Sequence, residues 1–151
     1  LKNPGSISVP SPRILSRPSP MPQQPIELIL ARQFADSMNM AAFLVDSTGN
    51  LLFYNEAAED ILGIRFAETG SMPVESWSSI FTPSDENGNP IPPEDLPLVQ
   101  TLQTQQPAHK SIYIDNKKNK RVPITITAIP IEGRPNRYLG AMALFWKSKK
   151  S

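Results

Sequence analysis

The chain has 151 residues, 39% hydrophobic and 19% charged, with 17 prolines, one histidine and no cysteine. That length allows one modest domain plus a tail, and a second core will not fit. The near-balance of 15 basic against 14 acidic residues leaves no electrostatic footprint for nucleic acid. The lack of cysteine excludes a disulfide framework, a thiolate nucleophile, a Cys-based zinc or iron–sulfur site and a flavin-cysteinyl adduct.

Seven of the prolines fall within the first 25 residues, interleaved with serines. Such a stretch cannot bury enough surface to offset its ordering entropy, so residues 1–24 read as a disordered tail or linker. Residue 1 is Leu with no charged and apolar leader after it, and no apolar run approaches the ~20 residues that span a bilayer. The expectation is a soluble, cytoplasmic fragment of a longer reading frame, with no membrane contact.

From Pro25 to about residue 39, Ile26, Leu30, Ala31, Phe34, Ala35 and Met38 recur at helical spacing and predict an amphipathic helix that lays this stripe on a sheet. Ala42–Asp46 and Leu51–Tyr54 are β-rich runs around Ser47, Thr48, Gly49 and Asn50, the chemistry of a hairpin. Asn55 stands where an N-cap belongs, with Glu56 and Glu59 in the first turn, Ala57, Ala58, Ile61 and Leu62 as the apolar set, and Gly63 as the stop. Val74–Phe81 reads as a short helix, Thr82–Pro93 as a proline-rich turn region, and Leu96, Leu98, Val99 and Leu102 as a helix that starts near Pro93 or Pro97. Lys110–Asp115, Arg121–Ile131 and Tyr138–Trp146 then read as three strands, with Pro123 and Pro130 confined to ends or bulges of the middle one.

The order ββ, helices, βββ, together with AFLVDSTGNLLFYNEAAEDILG from Ala42 to Gly63, resembles the PAS domain family. The carrying features are a strand ending in Asp46, the turn at Gly49, Asn55, the small pair Ala57 and Ala58, and Gly63. PPEDLPLVQTL and YLGAMALFW are similar to the second half of such a domain, and the resemblance spans about residues 26–147. It implies an α+β fold: a five-stranded antiparallel sheet with short helices on one face, enclosing a small cavity, here preceded by the amphipathic helix. The domain is expected over residues 25–147, with 148–151 as a basic terminus. It also implies a sensory or interaction module, in a family where haem or flavin is sometimes bound and dimers through the N-terminal helix and outer sheet face are common.

The last strand supports this from the residues alone. Leu139, Ala141, Ala143 and Phe145 alternate with Gly140, Met142, Leu144 and Trp146, so neither face is polar and both need cover. Leu51 and Phe53 oppose Leu52 and Tyr54 in the same way. The expectation is that the N-terminal helix covers the outer face and that whatever it leaves exposed pairs with a second copy.

Candidate chemistry is sparse. His109 is the sole imidazole, available as a haem ligand or general base. It shares parity with Ser111, Tyr113 and Asp115, opposite Ile112 and Ile114, which places it away from the core. Asp85, Asn87 and Asn89 sit at the first, third and fifth positions of a calcium-type loop, but Pro90 and Leu96 occupy the glycine and bidentate-glutamate positions, leaving a solvated turn. The adjacent pairs Glu59/Asp60 and Glu94/Asp95 do not face one another on a helix. No nucleophile elbow or phosphate-cradling loop is present, so no enzyme is expected.

Phe53, Trp77, Phe81, Leu98, Leu102, Ile112, Ile126 and Met142 either fill a core or wall a small apolar cavity, and the cavity is the expectation. The cofactor, if any, is not named by the sequence. The expected function is a sensor that binds a small ligand in that cavity and transmits through dimerisation. The alternative is a ligand-free docking or dimerisation module. In either case the output domain or partner protein lies outside this chain, and Lys147, Lys149 and Lys150 form either a solvated terminus or the start of a linker to it.

Overall fold

The computed structural model describes residues 25–118, 120–133 and 137–148. The proline-rich tail and the pair Lys149 and Lys150 lie outside the described residues. In chain order the elements are α1 (Ile26–Ser37), β1 (Ala41–Asp46), β2 (Leu51–Tyr54), α2 (Glu56–Leu62), α3 (Phe66–Thr69), α4 (Val74–Ile80), a single 3₁₀ turn (Pro93–Asp95), α5 (Pro97–Thr104), β3 (Ala108–Asp115), β4 (Arg121–Glu132) and β5 (Tyr138–Lys147). The five strands form one antiparallel sheet in the order β2-β1-β5-β4-β3.

Local chemistry accounts for most boundaries. The Asp46 carboxylate accepts the backbone N–H groups of Thr48 and Asn50, both at 3.0 Å, and so builds the β1–β2 turn from its own strand end. Asn55 caps α2 and Gly63 closes it in the left-handed region with φ of 79°. Pro25 acts as the N-cap of α1, one position earlier than expected, its carbonyl accepting the Leu28 and Ile29 N–H groups at 3.0 and 3.2 Å.

The sheet divides the apolar side chains into two clusters. The inner face carries Phe43, Val45, Ile112, Ile114, Ile124, Ala141, Ala143 and Phe145 beneath α2, α4 and α5. The outer face carries Ala42, Leu44, Met142 and the half-buried Leu144, covered by Leu28 and Ala35 of α1. That cover is local. Towards β3 the outer face turns polar, with His109 Nδ1 2.8 Å from Thr127 Oγ1 and Ser111 Oγ 3.1 Å from Thr125 Oγ1.

Two expectations are corrected here. The stripe assigned to the sheet side of α1 splits: Ala35 and the half-buried Ala31 join Leu28 against the sheet, whereas Ile26, Leu30 and Phe34 are 60, 55 and 61% exposed. Small alanines let the helix approach the strands closely, and the bulkier set i, i+4, i+8 is rotated outward. The simple alternation in β2 and β5 also fails. Phe53 pairs with Leu44 while Leu51 pairs with Val45, so Leu52 is an extra residue and both Leu51 and Tyr54 reach the inner cluster. A second bulge, where Gly140 pairs with Ile131 but Tyr138 with Glu132, moves Leu139 to the outer cluster.

Gly140 marks the tightest approach between strands. A Cβ there would collide with the Val45 carbonyl oxygen and crowd the Asp46 backbone, so β1 and β5 keep their spacing only with a glycine. Gly140→Ala is expected to lower the unfolding free energy by about 2 kcal/mol, read from urea denaturation. An unchanged midpoint would show that the β1–β5 pairing has slack.

Candidate functional site

A row of aromatic rings frames the space between helices and sheet. Phe43 stacks on Tyr54, with centroids 5.7 Å apart, and meets the edge of Trp77 at 5.5 Å. The Trp77 indole N–H donates to the Gly49 carbonyl at 2.7 Å, which ties α4 to the β1–β2 turn. The Tyr54 hydroxyl donates to the Ile64 carbonyl at 2.8 Å, and burial pushes its phenol above the usual range.

Beyond this row the helices do not fill the sheet surface, and a cavity of about 90 Å³ remains. Phe43, Leu62, Trp77 and Ser78 bound one side, Pro83 and Leu96–Leu98 another. The sheet supplies Ile112 and Ile114 of β3, Ile124 and Ile126 of β4, and Ala143 and Phe145 of β5. Ser78 is the one polar side chain in this wall; it is buried, and its Oγ has no hydrogen-bond partner.

Of the eight residues expected to wall the cavity, the structure gathers Trp77, Leu98, Ile112 and Ile126 around it. The other four stand elsewhere for identifiable reasons. Phe53 is turned to the outer face by the β2 bulge, where the Arg32 guanidinium lies 4.5 Å from its ring centroid. Met142 has the opposite parity to Ala141 and Ala143 and lies in the cluster beneath α1. Phe81 is core, and its carbonyl accepts the Asp115 N–H at 2.8 Å. Leu102 lies one helical turn beyond Leu98, near the Gly49 turn.

Strict alternation along β3 and β4 would have added Ile114 and Ile124, and the stated parity of β5 already paired Ala143 with Phe145. Phe43 had no such signal, because β1 is apolar at five successive positions and all five are buried. Nothing in the sequence singled out Ser78.

The wall does not fit haem or flavin. About 90 Å³ is well below the roughly 300–1,000 Å³ of pockets that hold ligands of drug size. His109, the only imidazole, is exposed on the outer face beside Thr127. The Asp85 carboxylate accepts the Asn89 and Asn87 N–H groups at 2.9 and 2.8 Å, and these bonds hold it below the usual carboxylate range. Its oxygens are committed to the turn, and no cluster of three or more metal-ligating side chains occurs among the described residues.

A second polar centre joins the two faces of the sheet. The Asn55 side chain is 2% exposed, and its Oδ1 accepts the Ala42 and Ala58 N–H groups at 3.1 and 3.0 Å. Its Nδ2 donates to the Ala35 and Met40 carbonyls at 2.7 and 2.9 Å. One amide therefore caps α2, starts β1 and fastens the end of α1.

A single antiparallel sheet, with short helices over an apolar cavity on one face and an amphipathic helix on the other, defines an α+β module. Residues 30–97 match the PAS domain family, a family of sensory and signalling modules, and the sheet as a whole has the PAS fold. Among solved structures, the PAS domain of Bordetella pertussis BvgS is similar with a TM-score of 0.62 at 13% identity, covering 83% of this chain and 89% of that one. The PAS domain of nitrogen regulation protein NR(II) from Vibrio parahaemolyticus gives a TM-score of 0.55 at 19% identity, over 79% and 98% of the two chains. The Rhodobacter sphaeroides LOV protein gives 0.65 at 14% identity, over 84% and 70%. No curated protein sequence matches the chain.

Asn55→Asp isolates the anchoring half of the Asn55 network, since Asp caps a helix as well as Asn but cannot donate to the Ala35 and Met40 carbonyls. The expected loss is about 3 kcal/mol in urea denaturation, because two buried carbonyls lose their donor and face a carboxylate. A loss no larger than that at an exposed cap would show that α1 does not depend on this amide.

Proposed function

We propose that the chain is a sensory module that takes a small ligand into the inner cavity and passes the resulting shift through the sheet to α1 and a second copy of itself. The observation that carries this reading is the division of β5. Ala143 and Phe145 face the cavity, while Met142 and Leu144 lie in the cluster under α1. A ligand that moves β5 against one layer therefore moves it against the other, and the ligand's differential affinity for two packings sets the response.

The outward face of α1 supports the dimer half of the proposal. Ile26, Leu30 and Phe34 form one apolar line on an otherwise anchored helix, with Ile29 at 38% exposure beside it. A helix that presents such a line is suited to pairing with its own copy about a two-fold axis. Signal then leaves to an output domain or partner protein beyond the residues given. No helix among the described residues is long and apolar enough to cross a membrane.

The modest cavity favours a second reading, a ligand-free interaction module that uses only α1 and the outer face. A protein that no small molecule stabilises against heat would support it over the first.

Phe34→Glu tests the pairing directly. Sedimentation of the full chain should show a concentration-dependent dimer, and the variant should be monomeric, its thermal midpoint matching that of the wild type at concentrations where the wild type is dissociated, because the side chain is exposed in the protomer. A wild-type monomer at every workable concentration would remove dimerisation from the proposal.

A further inference from the structure

The C-terminal ends of α1 and β5, together with α2, enclose a groove that the fold leaves open. Its apolar part is uncovered: Met40 and Trp146 are each 39% exposed, with the half-buried Met38 and Ile61 beside them. Asp36 of α1 and the pair Glu56 and Asp60, one turn apart on α2, add three exposed carboxylates, and Lys147 is the one basic side chain in the lining. Large apolar groups framed by one sign of charge suit a peptide that is apolar at its centre and basic at its ends.

The chain itself carries such a peptide. All 14 acidic residues lie after residue 24, whereas the first 24 residues hold Lys2, Arg13 and Arg17. Ile14 and Leu15 stand between the two arginines and are the one adjacent pair of large apolar residues in that stretch. The segment also has the reach. The 12 residues of α1 are about 18 Å long, and the groove lies at the far end of that helix. The ten residues from Leu15 to Pro25 span up to about 33 Å when extended, and the eight from Arg17 up to about 26 Å, enough to double back along α1.

We propose that residues 13–17 seat in this groove of their own chain, with Ile14 and Leu15 against Met40 and Trp146 and the two guanidinium groups facing Asp36 and the α2 carboxylates. A tether of this length supplies an effective concentration on the order of millimolar, so a weak contact suffices. The seated segment covers the end of β5 and the link from α1 to β1, and a partner protein that needs this surface must displace it.

Because the chain has no cysteine, Ser16→Cys gives a single attachment point for a nitroxide label. In nitrogen-15 NMR spectra of the full chain, the label should broaden the amides of Met40, Ala57, Ile61 and Trp146 in preference to those of Ile26 and Leu30, and ~1 M salt should weaken the effect several-fold. Asp36→Arg with Asp60→Arg should abolish this broadening. Adding Arg13→Asp and Arg17→Asp to that variant should restore it, a rescue that a misfolded groove would not give. Broadening spread evenly over the surface, broadening centred on Ile26 and Leu30, or broadening of the groove that survives the Asp36 and Asp60 reversals would overturn the proposal. Broadening found only between a spin-labelled copy and a separate isotope-labelled copy would put the segment on a second chain and overturn seating within one.

Discussion

Strand β5 runs through the middle of the sheet with apolar side chains on both faces, and neither face can be left in water. Ala141, Ala143 and Phe145 require the helices α2, α4 and α5 above them, and Met142 and Leu144 require α1 below. Burying a side chain of the size of Met or Leu contributes about 1.5–3 kcal/mol, which is large against the total stability of a small domain. The N-terminal helix is therefore part of the fold. The same constraint makes the central strands a wall shared by the two apolar clusters.

Asn55 makes that sharing specific. Its amide bonds hold α1, β1 and α2 at one point on the rim of the sheet, each with a distance of 3.1 Å or less. Trp77 plays a comparable part on the inner side, reaching from α4 to the Gly49 carbonyl of the hairpin turn. Movement of the cavity wall at Trp77 and Phe43 thus has a direct path to the β1–β2 hairpin and from there to the end of α1. The polar ladder of His109, Thr127, Ser111 and Thr125 shows where outer cover is not required.

Much of this was legible in the sequence because it is written in local chemistry. Asn55, Gly63, Asp46 and the turn residues announce their roles by type and position, and the strand segments carry β-branched and aromatic residues. What escaped depends on pairing between strands. The bulge at Leu52 turns Phe53 outward, and nothing within LLFY reveals an extra residue. The helix α1 is apolar at Ile26, Leu28, Leu30, Phe34 and Ala35, and only close packing decides that Leu28 and Ala35 meet the sheet. Ser78 escaped because it differs from the neighbouring Ser79 only in a hydrogen bond left unmade, which no sequence pattern reports.

Hydrogen exchange of the full chain tests the dependence of the sheet on α1 most directly. The account predicts that amides from Leu30 to Ser37 are protected and open together with those of β1 and β5, since removing the helix bares Met142 and Leu144. Exchange of α1 at the rate of an unstructured peptide, with β1 and β5 still fully protected, would contradict it.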